Sequence, residues 1–144
     1  MATADRFHLT FDAADPRALG EFWAAALGYV EEPPPDGYAT WEEALIAWEV
    51  PEDRWNDGYA IIDPYGHGPR IFIQKVPEPK TANNRMHLDV IVSTDRENKD
   101  REAMGRRADE LVGLGAARVE EFDDPNSGYW IVMRDPEGNE FCIV

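Results

Sequence analysis

Three of the five tryptophans, Trp41, Trp48 and Trp55, fall in one short segment that is flanked by Tyr38 and Tyr59. Rings of this kind can wall a pocket and stack on a planar or cationic ligand. The alternative is that Trp41 and Trp48, seven residues apart, supply the buried stripe of a helix, which the spacing supports directly. Trp130 stands in a second aromatic run and would line a pocket from a strand. The lone cysteine, Cys142, reads either as a thiolate ligand or nucleophile, or as a small buried hydrophobe in an apolar C-terminal strand. Asp89 follows His87 by two residues, so on a strand both point to one face, where Asp89 would orient a ligand, accept a proton, or simply be solvated. His67, between two glycines, reads as an exposed turn residue.

The chain has 144 residues, with 14 Lys and Arg against 29 Asp and Glu, and a formal net charge of −15. Scattered basic residues among twice as many acids exclude a nucleic-acid surface, which needs clustered Lys and Arg. No apolar run approaches the ~20 residues of a membrane-spanning helix. One cysteine permits no internal disulfide, and the first residues lack a basic-then-apolar leader, so the sequence reads as cytoplasmic.

The elements that must carry these residues are short. Arg6 to Asp12 is rich in β-formers, and Asp15-Pro16 then supplies an N-cap and a first-turn proline. Leu19, Phe22, Trp23, Ala26 and Leu27 keep a helical period up to Gly28. Tyr29 to Glu32 reads as a strand before the turn Pro33-Pro34-Pro35-Asp36-Gly37. Thr40 with Glu43 makes a capping box for a short helix over about Trp41 to Glu49, ended by Pro51. Gly58 to Ile62 and Arg70 to Val76 read as strands joined through Asp63-Pro64-Tyr65-Gly66. Beyond a linker the series restarts with a strand over Arg85 to Val92, a second capping box at Thr94 and Glu97, and a helix bearing Met104, Ala108, Leu111 and Val112 on one face. Three strands, Ala117 to Phe122, Tyr129 to Arg134 and Glu140 to Val144, complete the chain.

The two halves match in order: His8-Leu9 with His87-Leu88, Leu27-Gly28 with Leu114-Gly115, and the turn at Asp63 with that at Asp135. The reading is one domain over residues 1–144: a βαβββ repeat over 5–76 with an inserted helix at about 40–50, a linker over 77–84, and a second repeat over 85–144. The runs Gly68 to Lys80, Asn84 to Asp89 and Asp135 to Cys142 resemble the vicinal oxygen chelate superfamily, the glyoxalase, bleomycin-resistance and extradiol dioxygenase group. The resemblance covers nearly the whole chain and is closest in texture to bacterial glyoxalase-like proteins.

The resemblance implies an α+β fold of two βαβββ repeats whose mixed sheets curl around a cavity, with metal ligands on four strands. Carried over residue by residue, it places His8, Gln74, His87 and Cys142 at the four ligand positions, with Gln74 and Cys142 standing where carboxylates are usual. Glu140 would share the face of Cys142 and serve as a ligand, as a general base beside a metal-bound substrate, or as a solvated edge carboxylate. The metal would be Zn, Ni, Mn or Fe, acting as a Lewis acid. Two readings follow. One is a divalent-metal enzyme of isomerase, lyase or dioxygenase type on a small oxygenated substrate. The other is a metal-free small-molecule binding protein resembling bleomycin-resistance members, with the acidic charge and tryptophans suited to a cationic aromatic compound. Glutathione-dependent glyoxalase activity is not supported, and a homodimer is expected from the superfamily's habit alone.

Overall fold

The computed structural model describes residues 6–144, which form two units, the first ending at Pro79 and the second running Lys80–Val144. In the first unit β1 (Leu9–Ala13) leads into α1 (Pro16–Leu27), followed by β2 (Val30–Glu31), α2 (Trp41–Ala47), a 3-10 turn (Glu52–Arg54), β3 (Gly58–Ile62) and β4 (Ile71–Lys75). The second runs β5 (Leu88–Val90), α3 (Arg101–Gly113), β6 (Ala117–Asp124), β7 (Gly128–Arg134) and β8 (Glu140–Ile143). Their strand orders, β1-β4-β3-β2 and β5-β8-β7-β6, are the same. In each sheet the first pair is parallel and the others antiparallel, so the βαβββ pattern occurs twice and both sheets are mixed.

Strand alternation divides each sheet into a core face and an open face. In the first unit Ile61, Ile71 and Ile73 are fully buried with Leu19, Phe22 and Trp23 of α1, whose indole packs edge-on to Phe11 and Phe22. Gly20 is required in this layer, because a Cβ there would be driven into the Tyr59 ring. Asp15 caps α1 by accepting from the Ala18 N–H, and Gly28, at φ 71°, closes it. In the second unit Met104, Ala108 and Leu111 of α3 are buried with Ile131, Met133, Phe141 and Ile143.

Several expectations are corrected. Thr94 and Glu97 do not begin a helix: the Asp95 carboxylate accepts the N–H groups of Glu97 and Asn98, making a local turn, and Asp100 caps α3 instead. The buried stripe of α3 is Met104, Ala108 and Leu111, and Val112, read as part of it, lies at its edge and is 43% exposed. Two strands are much shorter than read, β2 spanning only Val30–Glu31 and β5 only Leu88–Val90, while β6 (Ala117–Asp124) and β7 (Gly128–Arg134) run slightly longer.

The end of α2 has a direct bearing on the cavity. Glu49 N–H bonds Ile46 O at 3.0 Å and Val50 N–H bonds Leu45 O at 2.9 Å, the paired bonds of a Schellman turn that bring Val50 against Leu45. The left-handed position falls on Glu49, at φ 57°, where glycine is usual. Glu49→Gly should therefore raise stability by about 0.5–1 kcal/mol in urea unfolding, net of the added freedom of the unfolded chain.

Candidate functional site

The first unit holds a cavity of about 350 Å³ between the inserted segment and the β3–β4 part of its sheet. Trp41, Leu45, Val50 and Trp55 form one wall and Phe72, Gly58 and Ala60 the other. Both indoles are fixed by the backbone: Trp41 Nε1–H donates to Glu32 O at 2.7 Å and Trp55 Nε1–H to Val50 O at 2.9 Å. With these polar tips satisfied inside the chain, the rings present apolar surface to the cavity.

The charges of this cavity largely cancel. Three acids, Glu31, Glu32 and Asp57, line it with three arginines, Arg17, Arg54 and Arg70. Arg70 grips Glu32 with two bonds, 2.5 and 3.1 Å, and lies 5.5 Å from the Phe72 ring centre. Arg54 pairs with Asp57 at 2.8 Å, and Arg17 lies over the Tyr59 ring. The Arg70 guanidinium is held charged by Glu32, and the Tyr59 hydroxyl is pushed above its ordinary pKa by burial and then by Glu31.

Of the predicted aromatic residues, Trp41 and Trp55 line this cavity and Trp48 does not. Trp48 is 51% exposed, packing edge-on to Tyr38 and Trp41, so the buried-stripe reading fails for it. The helix is only two turns long, and its closing turn carries Trp48 outward.

The residues assigned to a metal are distributed differently from the expectation. His8 immediately precedes Leu9, which pairs with Ile71, whereas Gln74 pairs with Asp12 and donates to its carboxylate at 2.7 Å. Four positions along the strands, roughly 13 Å, thus separate His8 from Gln74, against ligand-to-metal distances of ~2 Å. His8 instead lines an open cavity of about 540 Å³ with Arg6, Asp63 and His67. His67 is exposed, as expected, but shares that cavity.

In the second unit, His87 and Glu140 each stand one residue before the pair Leu88 and Phe141, so they are level neighbours on one face. Both are already engaged by the linker. Glu140 accepts the Asn84 N–H at 2.8 Å and pairs with Lys80 at 3.1 Å, while the Asn84 carbonyl lies 2.9 Å from His87 Nε2 and takes its proton in the tautomer protonated there. Lys80 also donates to Ala82 O. These partners, the Asn84 N–H first, hold the Glu140 carboxyl down at about 2. Asp89 and Cys142 form the next level pair, in an open cavity of about 470 Å³ with Trp130, Arg96 and Lys99. Burial, and then Asp89, pushes the Cys142 thiol above its ordinary pKa, which keeps it protonated at neutral pH. Trp130 stacks on Phe122 with centroids 5.0 Å apart.

Among the described residues, a divalent ion implied by the fold finds no ready multidentate site within either unit. Gln74 is bonded elsewhere, Glu140 is neutralised by an ammonium, and the thiol resists ionisation. Among the described residues, no three His, Cys, Asp or Glu side chains converge as a metal would need. Nor, among them, is any helix long and apolar enough to cross a membrane.

Sequence reasoning missed Phe72, Glu32, Arg70 and the role of Gly58. Period-two alternation across Arg70 to Gln74 would have placed Phe72 on the open face, but the ion pair joins residues 38 apart and leaves no local signal.

Comparison with known proteins places these features in a family. The glyoxalase-like domain matches residues 8–144. No curated protein matches the chain. Among solved structures, a glyoxalase/bleomycin resistance protein/dioxygenase family enzyme from Burkholderia phytofirmans PsJN is similar at 17% identity and TM-score 0.64, over 97% of each chain. The fosfomycin resistance protein FosX from Mesorhizobium loti is similar at 12% identity and TM-score 0.59, over 99% of this chain and 92% of that one. A mutant FosX from Listeria monocytogenes, complexed with Mn(II) and 1S,2S-dihydroxypropylphosphonic acid, is similar at 12% identity and TM-score 0.62, over 98% and 90%. At these identities the likeness is one of fold.

Proposed function

The chain belongs to the glyoxalase-like domain family, and from that premise we propose that it binds a small planar aromatic molecule in the tryptophan-walled cavity of its first unit, with no metal needed for that binding. The observation that carries this reading is the pair of indoles, Trp41 and Trp55, locked by backbone carbonyls opposite Phe72. A cavity of about 350 Å³ falls at the small end of ligand pockets, usually 300–1,000 Å³. Equal numbers of acidic and basic lining groups favour a neutral ring over the cationic compound that the net charge suggested.

The test is calorimetric titration of the metal-free protein with bicyclic aromatics, naphthalene and 2-quinolinone among them. Saturable binding at one molecule per chain, unchanged by EDTA, is the expected result. No saturable binding of any bicyclic probe would overturn the proposal.

The second reading is a metal-dependent isomerase, lyase or dioxygenase. It rests on the two equivalently placed imidazoles, His8 and His87, and on the Mn(II)-bound neighbour of the same fold. Retention of one Mn, Fe, Ni or Zn ion per chain after desalting, lost in His87→Ala, would favour it over the first.

A further inference from the structure

Inside the aromatic cavity, one stretch of backbone edge has no partner among the described residues. The Lys75 N–H bonds Asp57 O at 2.9 Å, which makes that pair a hydrogen-bonded one. The register then alternates through Gly58↔Gln74 and Tyr59↔Ile73, so the N–H and C=O of Gly58 turn away from β4 toward the outer edge of β3. On that edge β2 pairs only with Ile61 and Ile62, and the Glu32 N–H adds a single bond to Ala60 O at 2.9 Å. The chain then leaves for α2, and among the described residues no protein group bonds to the outward side of Gly58.

The residue at this opening is glycine for a physical reason. A Cβ on Gly58 would stand 2.8 Å from Phe72 Cζ, so the Phe72 ring would have to shift to admit any side chain there. Glycine therefore keeps both the ring and the backbone edge available in one place. A donor and an acceptor from a single residue, facing the same way beside an aromatic wall, match a flat ring that carries its own adjacent acceptor and donor.

Resting on the cavity reading above, we infer that the ligand is a planar aromatic lactam or amide-bearing heterocycle, whose ring lies among Trp41, Trp55 and Phe72 and whose N–H and C=O pair with Gly58. A neutral polar group that replaces water at this edge adds selectivity without adding charge, in keeping with the balanced lining.

Three probes of nearly equal ring size separate the possibilities: 2-quinolinone, its N-methyl derivative, and naphthalene. The lactam should bind at least tenfold more tightly than either of the others. In 15N-resolved NMR the Gly58 amide proton should move downfield with the lactam, whose carbonyl accepts from it, and not with naphthalene, which has no acceptor. The N-methyl compound keeps the carbonyl but loses the N–H that would meet the Gly58 carbonyl, and so loses affinity. Equal affinities together with a still Gly58 amide would overturn the lactam inference while leaving the aromatic cavity intact. Failure of all three to bind would overturn both. Because the substitution is made in the ligand, no result depends on a variant that might misfold.

Discussion

Glu140→Gln should lower the unfolding free energy by about 2 kcal/mol near neutral pH, the order expected when a charge-assisted pair is lost at a nearly enclosed carboxylate. The Glu140 side chain is only 11% exposed, and its oxygens serve the Asn84 N–H and the Lys80 ammonium. The amide keeps the shape but loses the charge and presents an NH₂ where one partner needs an acceptor. The sign of the pH dependence follows from the lowered pKa. A carboxyl ordinarily near 4.5 and held at about 2 in the folded protein binds its proton more readily when unfolded. Its stabilisation is thus full above about pH 5 and is lost as pH falls toward 2. Urea unfolding across that range should give a shallower acid limb for Glu140→Gln than for the native chain. It should not be flat, because Asp15, Asp63, Asp95 and Asp124 are also held below their ordinary values by hydrogen bonds. A Gln variant as stable as the native protein at every pH would show that the linker does not depend on this clamp.

That clamp also explains why a residue read from sequence as a catalytic or metal-binding acid takes a different place in the fold. Alternation along β8 is local, and it correctly set Glu140 and Cys142 on one face and Asp89 on the face of His87. What a face meets is not local. Lys80 and Asn84 lie 60 and 56 residues before Glu140 and come to it only once β5 has paired with β8. The same limit applies to Gln74, whose partner Asp12 was decided by the β1–β4 register. The repeat, by contrast, was legible because helix stops and Asp-Pro turns are written in adjacent residues: Gly28 is left-handed as its position demanded, and Asp135 gathers the Glu137 and Asn139 N–H groups in its own turn. The competing capping signals before α3 were ambiguous for a related reason. Thr94, Asp95 and Asp100 all have side chains able to accept a helix's first N–H groups, and Asp95 spent its carboxylate on a separate turn.

Trp55→Ala should weaken binding of the best bicyclic probe by roughly thirtyfold, about 2 kcal/mol, since it removes an aromatic wall already held in place. The loss should appear in the dissociation rate more than in the association rate, because the cavity mouth and its charges are unchanged. Trp41→Ala should have an effect of the same order plus a fall in stability, for its indole also secures Glu32 O and packs on Trp48. Trp48→Ala is the discriminating control. Half-exposed and outside the cavity lining, it should leave affinity within about twofold while removing as much aromatic surface as the other two. Sequence spacing treats the three tryptophans alike, and the structure separates them by where the α2 turn ends. Losses from Trp48→Ala and Trp41→Ala with none from Trp55→Ala would mean that the ligand sits on the outer aromatic cluster with Tyr38. No loss from Trp55→Ala alone would move the site out of this cavity altogether.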